Sequence, residues 1–411
     1  MQDLLRYLKT HKSFLIWGFG QEGRSTYNFL SKNLDGVKIA VADVSRPKDL
    51  PSGVEFIETD IPIDALRLYD LTLKSPGISL HKFDIKDINC HVTSQTELAL
   101  RFFKNQIIGI TGTKGKSTTA TLVHEMLIAA KKKSYLVGNI GQPFFDCLND
   151  VSADSFIVYE LSSHQLDSVH FSPHIAILLN LYQEHLDYYG SLEKYFDAKK
   201  QIFLHQDEDD WLFYNRENSL SSKSKNVEMT KIIVDKKWKI PLHVNLLSVQ
   251  AMLCVADVLD IDKEYVRLIV EKFKGLPHRL ELVGSFNGFS YYNDSISTAV
   301  ESTQFALEQI SNIYTLIIGG DDRGIDYRPL VKNILDSKVK LVVTMFQSGK
   351  IVNELLQKSD IELFHTDDLD EALSYAKENV LFSPASASYG SFKNFMQRGL
   401  AFKEAVIRKN K

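Results

Sequence analysis

Residues 109–119 read GITGTKGKSTT, a stretch with three glycines, two lysines and five hydroxyl side chains. It follows the apolar pair Ile107-Ile108 and precedes a segment, Ser117 to Lys131, expected to be helical. Glycine lets backbone N–H groups approach an anion closely, and a helix starting there adds the positive end of its dipole. Lys116 can reach a terminal phosphate, and Ser117 or Thr118 can ligate magnesium. The general phosphate-loop spacing GxxxxGK[ST] is not met, because Ile110 stands where its first glycine belongs. The strand–loop–helix context still points to ATP, and it makes this segment a βα unit of a parallel sheet.

Other apolar runs extend the pattern in both directions. FLIWGFG (14–20), VKIAVAD (37–43) and LYDLTLKSPGI (68–78) read as strands upstream; SFIVYELSS (155–163) and HIAILLNL (174–181) follow the loop. Residues 215–245 are polar and read as short strands and loops, and 244–259 reads as an amphipathic helix. GLPHRLE (275–281) reads as a hinge. Beyond it, NIYTLIIGGDD (312–322), VKLVVTMF (339–346) and NVLFSPAS (379–386) are strands between helical stretches. The expected fold class is α/β with three domains. These are a Rossmann-like domain over 1–103, a P-loop ATPase-type parallel-sheet domain over 104–276, and a second Rossmann-like domain over 277–411. GFGQEG (18–23) fits GxGxxG with Asp43 twenty residues past Gly23, a fingerprint that taken alone also suits an NAD enzyme.

A net charge of −4 gives no support for a general nucleic-acid binder. Cys90, Cys147 and Cys254 form no CxxC pair, so neither a zinc ribbon nor a disulfide framework is expected, and free thiols in a reducing compartment are. No signal-peptide pattern and no apolar run of membrane-spanning length is present, so the expectation is a soluble cytoplasmic protein without a membrane partner.

The variant TGTxGKST, met from Thr111 to Thr118, resembles the loop of the Mur ligase family, the ATP-dependent amide ligases of peptidoglycan precursor synthesis. Folylpolyglutamate synthases share a related loop. Further motifs carry the resemblance in family order: ELSSHQL (160–166), Asn180 with Glu184, His185 and Asp187, YFDAK (195–199), LPHRLE (276–281), NDS (293–295), GGDDRGID (319–326) and FSPASASYGSFKNFMQRG (382–399). ELSSxQL in particular is similar to the branch that joins glutamate to a muramoyl-alanine precursor.

The resemblance implies roles. Gly112, Thr113, Lys114, Gly115, Lys116, Ser117 and Thr118 would bind ATP, with Arg279 on the adenine and Asn293 and Asp294 on the nucleotide. Ser117, Thr118, Glu160, His185 and a carbamylated Lys199 (Lys200 being the neighbouring alternative) would hold two magnesium ions. Lys116, Glu160, His185 and Lys199 form the catalytic set. Gly20, Gln21, Glu22, Asp43, Ser75, Gly77, Asn139, Ser162 and Gln165 would bind the UDP substrate, and Thr298, Arg323, Ser388, Tyr389 and Phe395 the incoming glutamate. The implied partners are ATP, UDP-N-acetylmuramoyl-L-alanine and D-glutamate, the implied reaction passes through an acyl phosphate, and the implied state is a monomer. Some positions depart from the family. NDSISTA has Ile296 in place of a lysine, Arg323 replaces a lysine after the GGD turn, and VNLLS keeps only Asn245 of HNxxN. An L-glutamate-adding ligase, a folate polyglutamylating enzyme and a non-catalytic nucleotide-binding relative are the alternatives.

Overall fold

Short apolar runs bounded by glycine or proline turns become strands buried on both faces, the signature of parallel sheets covered by helices. The computed structural model describes residues 1–60, 63–80, 91–182, 186–216, 222–241, 244–322, 324–388 and 392–410. The chain forms two compact units, 1–273 and 274–411.

The first unit holds two parallel sheets. In one, β1 (Ser13–Trp17), β2 (Lys38–Asp43), β3 (Glu55–Glu58), β4 (Leu71–Lys74) and β5 (His91–Thr93) run in the order β3-β2-β1-β4-β5. In the other, β6 (Ile107–Thr111), β7 (Ser134–Gly138), β8 (Phe156–Glu160), β9 (Ile175–Leu178), β10 (Trp211–Tyr214) and β11 (Lys225–Glu228) run in the order β11-β10-β9-β6-β8-β7. Strand addition reverses beside β1 in the first sheet and beside β6 in the second. In open α/β sheets such a reversal leaves a crevice at the carboxyl ends of the strands. One apolar core serves both sheets: Phe14 and Phe29 share it with Phe144, Phe145 and Ile157, and Phe29 stacks on Phe145 with centroids 4.4 Å apart.

The second unit has β12 (Glu281–Phe286), β13 (Phe289–Asn293), β14 (Thr315–Ile318), β15 (Leu341–Thr344), β16 (Glu362–His365) and β17 (Val380–Phe382), in the order β12-β13-β17-β14-β15-β16. Among the described strands only the β12–β13 pair is antiparallel. Along β14, Leu316 and Ile318 enter the core on one face of this sheet and Ile317 the core on the other, as a period of two requires. Its reversal falls between β14 and β17.

The expectation of strands alternating with helices holds, with local corrections. The strand expected over 68–78 is only β4; after Lys74 the chain turns, with the Ile78 N–H on Ser75 O, because Pro76 has no N–H to continue the ladder. The helix expected over 244–259 spans Leu246–Val258 and is not amphipathic. It buries Ser248 through Met252 and Cys254 through Ala256, because it packs against two other helices, Lys116–Ala129 and Lys263–Lys272. Among the described residues no helix is long and apolar enough to cross a membrane.

Gly138, where β7 ends, has φ +107°, and a Cβ there would lie 2.2 Å from Glu160 O. Gly138→Ala should therefore lower stability by about 2 kcal/mol or more. Urea unfolding followed by far-UV circular dichroism measures this, and an unchanged midpoint would mean that the turn relaxes freely.

Candidate active site

The stretch 109–119 folds as β6, a loop, and the helix Lys116–Ala129, which begins after Gly115 at φ +86°. Gly112, at φ +153°, runs so close to β9's exit that a Cβ would meet Leu179 Cβ at 2.9 Å. Asn180 braces the loop there: its Oδ1 accepts the Lys114 N–H (2.8 Å), its Nδ2 donates to Lys114 O (3.0 Å), and its carbonyl accepts the Thr113 N–H (2.8 Å). Thr113 Oγ1 lies 3.1 Å from the Tyr195 hydroxyl and accepts the Tyr182 N–H. Lys116 Nζ donates to Thr113 O at 2.9 Å. Ser117 is buried and Thr118 half-buried on the first turn.

Glu160 closes β8 one rung from the loop, opposite Ile110. It is fully buried; Oε1 accepts from Asn139 Nδ2 at 3.2 Å, and Oε2 has no hydrogen-bond partner among the described residues. A buried carboxylate oxygen left without a donor suits a cation. No group of three His, Cys, Asp or Glu side chains is preassembled around a metal position among the described residues. His185, Glu184, Arg323 and Tyr389 lie outside the described residues, as does the side chain of Asp187. Lys199, on the helix Leu192–Leu204, is 1% exposed, and its Nζ donates to Gly112 O at 2.9 Å. Lys200 points to the surface and pairs with Asp197.

A second cluster joins the two sheets. Ser162 and Gln165 form a capping box on the short helix Ser163–Leu166, and Gln165 Nε2 donates to Glu22 Oε1 at 3.1 Å. Glu22 Oε2 is buried without a donor among the described residues. Burial pushes this carboxyl up to about 7, against the pull of Gln165 and of the Lys74 charge. Lys74 is itself buried; desolvation lowers its pKa against the charges of Asp167 and Glu22, and its Nζ donates to Ile78 O at 3.1 Å. Ser75 Oγ donates to Gly18 O at 2.9 Å. Asp43 is taken up locally, each oxygen accepting a backbone N–H, from Phe19 and from Val44 (both 2.7 Å). Gly20 caps the helix Gln21–Asn33, while Gln21 and Gly77 are exposed at the same mouth.

In the second unit, Asn293 and Asp294 face inward. Asn293 Nδ2 contacts His278 Nδ1, Glu281 and Gly399 O, and Oδ1 accepts the Ser295 N–H. Asp294 accepts from Ser297, Ser383 and the Leu280 N–H; burial raises its carboxyl to about 6 despite these donors. Arg279 and Thr298 are exposed, Phe395 is half-buried and Ser388 is buried. Three functional candidates carry no role in the sequence reading: the Asn180 side chain, Lys74 and Arg398. Asn180 and Arg398 have a sequence signal, their places in the motif ending HLD and in the motif 382–399, and Lys74 has none.

The Mur ligase middle domain family matches residues 110–288. The chain is 30% identical to the UDP-N-acetylmuramoylalanine--D-glutamate ligase of Clostridium acetobutylicum, covering 98% of each chain. It is 33% identical to the ligase of the same name from Oenococcus oeni, over 96% of this chain and 97% of that one. Among solved structures it is similar to MurF ligase from Thermotoga maritima in complex with ADP, at a TM-score of 0.57 and 15% identity over the full length of both, a likeness of fold.

Glu22 sets a pH dependence. Its folded pKa of about 7 lies above the ordinary 4.5, so between these values the folded state keeps a proton that the unfolded state has lost. Stability contributed by this group therefore falls as pH rises from 4.5 to 7 and stays lowered above it. Glu22→Gln should flatten that fall and make the protein more stable than the parent at pH 8. Melting curves across this range test it, and parallel curves for the two proteins would refute it.

Proposed function

This chain belongs to the Mur ligase family, and from that premise we propose that it is an ATP-dependent ligase adding D-glutamate to UDP-N-acetylmuramoyl-L-alanine. The observation that carries the reading is the buried Glu160, with one oxygen lacking a donor among the described residues, one rung from a glycine loop braced by Asn180. That arrangement suits a metal–nucleotide, and the activity for which the relatives are named supplies the acid and the amine. In this reading the three sheets are three domains, bounded near 103/104 and 276/277. The protein acts as a cytoplasmic monomer.

The reaction activates the substrate carboxylate by in-line attack on the terminal phosphate, giving an acyl phosphate and ADP. The loop N–H groups from Gly112 to Thr118 hold the phosphates, and Lys116 exchanges Thr113 O for a phosphate oxygen. Ser117, Thr118, Glu160, His185 and a carbamylated Lys199 would hold two magnesium ions, which when bound neutralise charge on the transferring phosphoryl group. Lys199 already sits under Gly112, which favours it over the surface Lys200 for that modification. Glu22, Gln165, Ser162 and Asn139, with Gly20, Gln21, Asp43, Ser75 and Gly77, orient the UDP substrate. Arg279 meets the adenine, and Asn293 and Asp294 shape the nucleotide site from within. Thr298, Arg323, Ser388, Tyr389 and Phe395 receive the amino acid, whose amine attacks the acyl carbon and expels phosphate.

Phosphate release should require ATP, magnesium, the muramoyl substrate and D-glutamate together, with L-glutamate inactive; release with L-glutamate alone would assign the other stereochemistry. Glu160→Gln should lower turnover at least a hundredfold. Asn180→Ala, which removes two hydrogen bonds to the loop, should lower kcat/KM for ATP about tenfold to a hundredfold. A normal ATP dependence would remove Asn180 from the site.

A further inference from the structure

Arg398 is the largest charged side chain in the second unit's interior, 1% exposed on the helix Phe395–Lys409. Its guanidinium touches loops leaving two neighbouring strands. Nε donates to Ser295 Oγ (3.1 Å) and Nη2 to Ser295 O (2.8 Å), in the loop after β13. Nη1 donates to Ser386 O (3.0 Å) and Ala387 O (3.1 Å), in the loop after β17. Ala387 O also accepts the Asp321 N–H (3.0 Å), which ties in the loop after β14. The approach is close enough that a Cβ on Gly320 would lie 2.3 Å from Ala387 O and 3.0 Å from Arg398 Nη1.

Two features separate this from an ordinary buried ion pair. First, all four acceptors are neutral, three carbonyls and a hydroxyl, and Arg398 has no ion-pair partner among the described residues; Asp321 acts on it only through its charge. A buried cation left without a bonded anion keeps its field, which extends into the loops around it. Second, the fork fixes peptide orientation. In a planar trans peptide the N–H points opposite to the carbonyl. With the Ala387 carbonyl turned onto Arg398, the Ser388 N–H points away from the guanidinium. The loop is also conformationally costly, because Ala385 sits at φ +54° without being glycine. Something must hold it, and the guanidinium grips the two carbonyls that follow.

We infer that Arg398 is the positioning residue for the amino-acid acceptor: its fork turns the 386–388 backbone so that donor groups face a carboxylate, and its charge draws that carboxylate in. The inference rests on the ligase reading above and adds a residue to it. Arg398 does not touch the amino acid; it acts through the loop.

The test measures KM separately for glutamate, ATP and the muramoyl substrate in the parent, Arg398→Lys and Arg398→Ala. Lysine keeps the charge but cannot grip several acceptors in one plane. Arg398→Lys should raise the KM for glutamate at least tenfold while the other two stay within about twofold. In Arg398→Ala, added N-ethylguanidinium should restore part of the glutamate affinity, and uncharged N-ethylurea should not. If Arg398→Ala fails to fold, the KM split in Arg398→Lys carries the test. Equal rises in all three KM values, or equal rescue by both compounds, would overturn the positioning role and leave the ligase reading intact. A parent protein that releases no phosphate with any amino acid would instead remove the ligase reading, and this inference with it.

Discussion

Each sheet reverses its direction of strand addition beside one strand, and a close backbone crossing at that point makes a crevice. In the first sheet Gly18, at φ +88°, lies against Ser75 between β1 and β4. In the second, Gly112 lies against Leu179 and Asn180 between β6 and β9. In the third, Gly320 follows β14 so close to the chain leaving β17 that a Cβ would stand 2.3 Å from Ala387 O. A side chain at any of these glycines would push apart the loops that form the crevice wall. Every described residue assigned to a ligand sits on a loop, helix start or strand end at the carboxyl edge of one of these sheets, or on a helix packed beside it.

Three buried ionisable groups at these crevices follow a common pattern. Glu160 is met by an amide, Glu22 by an amide, and Arg398 by carbonyls and a hydroxyl. Surface charges instead pair directly, as Arg328 does with Asp326 and Arg408 with Asp370, and such exposed pairs contribute little. Neutral dipoles hold an ionic group in place without cancelling its field, so the group can still act on a charged ligand. The cost is stability, visible in the raised carboxyls of Glu22 and Asp294.

The sequence made the local parts legible. GTKGKST announces a glycine turn feeding a helix, and FIVYE announces a buried strand ending in an acid, because both signals lie within a few neighbouring residues. Contacts made by distant residues were not legible. Asn293 and Asp294 read as nucleotide contacts, yet their side chains brace the interior against His278, Gly399 and Ser383, which lie 15 to 106 positions away. Arg398 closes a motif whose first residues attract notice, and nothing local shows that its fork reaches back to Ser295. Likewise nothing local to Lys74 shows that the fold buries it near Glu22 and Asp167.

The seam inside the first unit explains how distant chemistry is kept in register. A substrate with a nucleotide at one end and a reacting carboxylate at the other needs both ends held by one body, since a misplacement of about 1 Å can cost a hundredfold in rate. In the proposed reading the first and second sheets meet that need with a shared apolar core and a run of hydrogen bonds from Glu22 through Gln165 to Ser162, two residues beyond Glu160. The capping box fixes Gln165 from its own helix, so the amide reaches Glu22 in one orientation only: Oε1 is occupied by Ser162, and Nε2 is left to donate. Glutamine at this position therefore acts as a spacer of set length between two crevices. A carboxylate in its place would lose the donor and set a second buried charge against Glu22.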